Sequence, residues 1–351
     1  MKQRTASEIL FHLAFMGVLL ILVLLVSIAP AQTGVKSLKN LEYAQANGKK
    51  LLLDLYLPET SVEKLPVIVW IHGGGWRGGS KENCLPYRLG FVSFGYAVAS
   101  LEYRLSGAAP FPAQIKDCKA AIRFLKAHAA EYNLDKVNFG VWGASAGGHL
   151  SALLGASSDA KEWDVGDHLE QSSRVKAVCD YYGPSDFSPM LERMKTSPNY
   201  NAHAAISGLF GGNLEDRDKI IKAGPVAHVT KDDPPYLIVH GDQDALVPLS
   251  QSEILYDTLK KAGVEADLHI IKGSAHGGPA FSSPEMISLV RAFFDKHLKK
   301  TATSRPAETR PQPEKILQDS APTSPTAPSL TRSPSKKSAP RTRLRRTTRI
   351  D

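Results

Sequence analysis

The residues most able to do chemistry in this chain begin with Ser145, set in Gly143-Ala-Ser-Ala-Gly147. An apolar run at 137–142 precedes it and another apolar stretch starts at His149-Leu150. Strand, tight turn and helix in that order need small residues on either side of the serine, and lift its hydroxyl to the edge of a sheet. Such a hydroxyl attacks a carbonyl carbon once a base takes its proton and donors receive the charge building on oxygen. The donors are expected from His72-Gly-Gly-Gly-Trp76, where bare glycines let backbone N–H groups approach a ligand closely. Gly74 and Gly75, with the N–H of Ala146, are the expected oxyanion hole. A glycine-rich turn can also cradle phosphate, but no Lys-Ser/Thr follows here at Walker spacing.

A base and its orienting carboxylate stand later in the chain. His276 lies in Gly273-Ser-Ala-His-Gly277, where it has little to pack against. Two carboxylates compete in His240-Gly-Asp-Gln-Asp-Ala-Leu-Val-Pro248. Asp242 sits close to a strand end and is expected to hold the turn through backbone hydrogen bonds. Asp244 is the expected orienter of the imidazole. Ser145, Asp244, His276 is the chain order of an α/β-hydrolase. Of the other histidines, His149 is expected to be structural, and His128 and His297 to face solvent on helices.

The elements that must position these residues alternate between β and α. Short apolar runs at 66–71, 96–101, 137–142, 175–180, 236–240 and 266–271 read as buried strands, and 51–57 as an edge hairpin strand ending at Pro58. Helical periodicity covers 113–132, 251–262 and 285–297. The alternation predicts an α/β class: a mostly parallel sheet flanked by helices, with its site in loops at the strands' carboxyl ends. The catalytic domain is expected over 35–300. Within it, 185–233 has scattered helical patterns and no clear strand, as a small cap insertion would.

The 351 residues carry a net charge of +8, but the body is nearly neutral. From 301 onward eleven Lys+Arg face four Asp+Glu in a text of Pro, Ser, Thr and Arg. That tail is expected to be disordered, with its partner open, and a basic nucleic-acid surface on the body is not expected. Three cysteines, Cys84, Cys118 and Cys179, cannot make a paired disulfide framework. Lys2 and Arg4 before an apolar run at 13–28 and Ala29-Pro-Ala31 predict a signal peptide over 1–31 or an N-terminal membrane anchor. Either one means export, to the outside or the periplasm. No His/Cys/Asp cluster has zinc spacing, and neither a metal nor an organic cofactor is expected.

Over roughly 37–298 the chain resembles the α/β-hydrolase esterases related to hormone-sensitive lipase, and most of all their bifunctional feruloyl and acetyl-xylan esterase-like (BD-FAE-like) branch. The resemblance is carried by His72 to Trp76, Tyr103-Arg-Leu105, Phe111-Pro-Ala-Gln114, Gly143 to Gly148, Asp233-Pro-Pro235, His240 to Pro248 and Gly273 to Gly277. It implies Ser145, Asp244 and His276 as triad, and Gly74, Gly75 and Ala146 as oxyanion donors. It also implies a serine ester hydrolase for short-chain or acetyl/feruloyl esters, small or linked to polysaccharide. The rival readings are a prolyl-oligopeptidase-type peptidase, which shares the serine turn but would have a preceding propeller, and a non-catalytic binding module.

Overall fold

The structure is a computed structural model that describes residues 34–197 and 200–299. The expected signal segment at 1–31 and the tail at 301–351 lie outside the described residues. Eight strands form one sheet: β1 (Val35–Ala46), β2 (Lys49–Pro58), β3 (Leu65–Ile71), β4 (Ala97–Leu101), β5 (Leu134–Ala144), β6 (Ala177–Tyr181), β7 (Tyr236–Gly241) and β8 (Ala266–Ile271). Their order is β1-β2-β4-β3-β5-β6-β7-β8. The β1–β2 and β2–β4 pairs are antiparallel. From β4 to β8 every pair is parallel.

Period-two alternation sorts the side chains of β3 between two cores. Val67, Val69 and Ile71 join the larger apolar cluster with Ile115, Ile122, Leu150 and Leu153. Ile68 and Trp70 point the other way, with Phe91, Trp142, Val290 and Phe294. The helices supplying these contacts are α1 (Ala113–Ala127), α2 (Ala146–Ala156) and α7 (Pro284–Leu298). Between β6 and β7 run α3 (Phe187–Thr196), α4 (His203–Leu209) and α5 (Arg217–Ala223), and α6 (Ser250–Lys261) follows β7.

Three differences from the sequence expectations have physical causes. β1 was not anticipated, because register shifts between Leu38/Leu41 and Glu42/Ala44 break the alternation that would reveal it. The first shift centres on Asn40, whose φ of 57° is held by its N–H donating to the Asp54 carboxylate at 2.9 Å. The helix expected over 113–132 stops at Ala127. Asn133 turns left-handed (φ 54°) and Leu134 N–H reaches back to the Ala129 carbonyl, aiming the chain into β5. His128 and His297 are half-buried rather than solvent-facing; the ring of His128 packs on Phe124 and that of His297 on Phe293.

Candidate functional site

Ser145 sits between the carboxyl end of β5 and the first turn of α2, with φ 57° and ψ −120°. A non-glycine residue held there stores strain, which the surroundings must over-determine. Its N–H donates to the Tyr181 carbonyl at 2.8 Å, and its carbonyl accepts from His149 N–H at 2.9 Å. The flanking glycines are sterically required. A Cβ on Gly143 would lie 2.1 Å from the Gly147 carbonyl oxygen, and one on Gly147 would lie 2.1 Å from that of Ile71.

The loop after β8 brings His276 to this serine, with Nε2 2.8 Å from Ser145 Oγ. Its Nδ1–H donates to Asp244 Oδ2 at 2.6 Å. A carboxylate only accepts, so the proton is fixed on Nδ1 and Nε2 is left bare to accept from the hydroxyl. Asp244 is itself held: Oδ1 accepts from the N–H groups of Leu246 and Val247, each at 2.9 Å. His240, fully buried, stands 3.3 Å from Oδ2. Burial pushes the Asp244 carboxyl up, but hydrogen bonds from His240, His276 and Val247 outweigh it and hold the group well below the ordinary range. Asp242 does different work, its Oδ1 accepting from Gly273 N–H at 2.7 Å and tying the His276 loop to the end of β7. Tyr182 packs edge-on against the His276 ring at 4.7 Å.

The glycine loop after β3 lies opposite. A Cβ on Gly73 would come within 3.4 Å of Ser145 Cβ. Gly74, Gly75 and Trp76 all have positive φ, at 112°, 60° and 57°. No hydrogen bond among the described residues consumes the N–H of Gly74, Gly75 or Ala146. Ala146 is also the first residue of α2, where the helix dipole favours negative charge. Ala205 of α4 closes over the loop, its Cβ 3.0 Å from where a Cβ on Gly75 would stand.

What sequence reading missed is how this loop is held to the serine helix. The Trp76 indole N–H donates to His149 Nδ1 at 3.2 Å, and His149 Nε2–H donates to the Ala223 carbonyl at 2.7 Å. One fully buried imidazole thereby joins the glycine loop, α2 and the end of α5. Burial lowers its pKa to about 4, so it is neutral with both nitrogens satisfied. The partners are far apart in sequence, and no local pattern reports them. Among the described residues no group of His, Cys, Asp and Glu is placed to hold a metal ion, and no helix is long and apolar enough to cross a membrane.

The BD-FAE family model matches residues 53–259, more than half of the chain. The chain belongs to the BD-FAE family. Its mostly parallel sheet flanked by helices is that of an α/β-hydrolase. The probable carboxylic ester hydrolase LipM of Mycobacterium tuberculosis is 31% identical over 234 residues, covering 63% of this chain and 50% of that protein. The chain spans about half the length of the curated relatives it matches. Among solved structures, a truncated carbohydrate esterase from gut microbiota is 32% identical with a TM-score of 0.68, covering 76% of this chain and 97% of that one. An acetyl ester-xyloside bifunctional hydrolase from Caldicellulosiruptor lactoaceticus is 27% identical with a TM-score of 0.62, covering 71% and 89%.

Proposed function

We propose that this BD-FAE protein is an exported serine carboxylic-ester hydrolase with Ser145 as nucleophile, His276 as general base and Asp244 as the residue that orients it. The observation that carries the reading is the pair of hydrogen bonds on His276, 2.8 Å to Ser145 Oγ and 2.6 Å to Asp244 Oδ2. His276 Nε2 takes the hydroxyl proton as Oγ bonds to the ester carbonyl carbon, and Asp244 stabilises the imidazolium. The N–H groups of Gly74, Gly75 and Ala146 receive the charge on the carbonyl oxygen, each such donor being worth on the order of 10²–10³ in rate. Collapse breaks the bond to the alcohol, which leaves with the proton from His276. Water then repeats the sequence on the acyl-enzyme and frees the acid.

Segment 185–233 is proposed as a cap over the acyl side, supported by the closeness of Ala205 to Gly75. That closeness favours short acyl groups, and the names of the carbohydrate-active neighbours favour acetyl esters on carbohydrate, with feruloyl esters and polysaccharide resting on the resemblance carried by the sequence. Export rests on the basic and apolar text of 1–31. The test is an acyl-length series of p-nitrophenyl esters run beside acetylated xylan, methyl ferulate and a dipeptidyl anilide. Highest kcat/KM on acetate to butyrate, with the anilide untouched, is expected. Preference for long chains, or anilide cleavage, overturns the reading.

A further inference from the structure

Arg88 is buried on the side of the sheet away from the cap, in a short helical turn at Pro86–Leu89, and is only 6% exposed. Its guanidinium lies 3.4 Å over the Trp70 ring and 4.4 Å from that of Tyr87. Among the described residues it makes no ion pair, and its Nε is sealed from solvent with no hydrogen-bond partner. The ionisable groups acting on it most are Tyr87, Cys84, Tyr182 and Tyr181, none of them a carboxylate. Burying a cation without an anion is costly, and aromatic faces return only part of that cost.

The surroundings point toward the candidate site. Tyr87 and Tyr182 are half-buried, and neither hydroxyl has a partner among the described residues. Each phenol lies within electrostatic reach of Arg88, whose charge works against the burial that raises both to about 12. The Tyr182 ring stacks edge-on against His276 on one side and Phe281 on the other, each at 4.7 Å. Arg88 and its aromatic neighbours are therefore one ring, that of Tyr182, away from the imidazole that would return a proton to the departing oxygen.

We propose that Arg88, with the hydroxyls of Tyr87 and Tyr182, forms a subsite for a carboxylate carried by the alcohol portion of the ester. The proposal rests on the ester-hydrolase reading and adds a substrate class to it. A guanidinium that lies over an indole and has no carboxylate partner keeps N–H donors for an oxyanion, and two phenol O–H groups complete the donor set.

The probes are 4-acetoxybenzoate and 4-acetoxybenzamide, which share the acetyl group and nearly the same ring but differ in charge. The readout is the ratio of their kcat/KM values, benzoate over benzamide. Arg88→Met should lower that ratio roughly 10- to 100-fold, the worth of a hydrogen bond to a charged group. Tyr87→Phe, which removes only a half-exposed hydroxyl and leaves the fold alone, should lower it about 3- to 10-fold. A ratio unchanged within about twofold in Tyr87→Phe and in folded Arg88→Met overturns the subsite and leaves Arg88 as an aromatic brace. A wild-type protein that cleaves neither probe overturns the underlying hydrolase reading instead.

Discussion

Asp244→Asn preserves the shape of the side chain and reverses what one of its atoms can do. Oδ1 of Asp244 accepts from Leu246 and Val247 N–H at 2.9 Å, so the asparagine carbonyl must take that position. The opposite orientation would lose both bonds and set amide hydrogens against two backbone donors. The Nδ2 donor is thereby aimed at His276 Nδ1, where Oδ2 now stands 2.6 Å away. Facing a donor, Nδ1 must accept, which moves the single imidazole proton to Nε2. An Nε2–H pointing at Ser145 cannot take the hydroxyl proton. Loss of the working tautomer should lower kcat by about 10⁴, or about 5 kcal/mol of transition-state stabilisation. Asp242→Asn makes the contrast. Its carbonyl oxygen still accepts from Gly273 N–H, and only an exposed contact with Lys272 at 3.7 Å is weakened. That variant should stay within about threefold of wild type, as loss of a surface ion pair implies. The assay is kcat on p-nitrophenyl acetate, normalised to folded protein by circular dichroism. If Asp242→Asn is the more damaged variant, the tautomer reasoning is wrong.

Two further variants test other parts of the site. Trp76→Phe removes the indole donor and leaves His149 Nδ1 buried and unpaired, which should cost about 1–3 kcal/mol of stability by denaturant titration. Because the glycine donors lose their tie to α2, kcat should fall roughly 10-fold while KM barely moves; a change confined to KM would contradict the positioning role. Asp180 is fully buried with one oxygen accepting from Gly183 N–H and the other unpartnered, and burial raises its pKa to about 7. Its neutral form is favoured in the fold. Stability from this group is therefore complete below the unfolded pKa near 4 and declines as pH rises to about 7, by on the order of 4 kcal/mol at most. Asp180→Asn should remove that decline and raise Tm at pH 8 relative to pH 5 by several degrees compared with wild type; equal shifts at both pH values would argue against it.

The residues of the candidate site were more legible in the sequence than the edges of the fold. Ser145, His276, Asp244 and the 72–76 glycines were visible because each sits in a short loop between apolar strands and answers to a local requirement. Tight turns demand glycine, and unpacked histidines lack a core role. Asn40 hid β1, since a bulge erases period two while the strand persists. The Asn47-Gly48 turn, with both residues at positive φ, was the local signal that could have disclosed the β1–β2 hairpin. The Trp76–His149 bridge, spanning 73 residues, and the cluster joining Arg88 to Tyr182 are tertiary in origin, and no spacing rule reaches them.

The proposed nucleophile can be tested directly. Intact-mass and peptide mass spectrometry after exposure to a fluorophosphonate should find one adduct, on Ser145, formed by wild type and by Asp242→Asn but lost in Ser145→Ala and strongly slowed in His276→Ala. An adduct elsewhere, or labelling of wild type no faster than of the His276 variant, would contradict an activated Ser145.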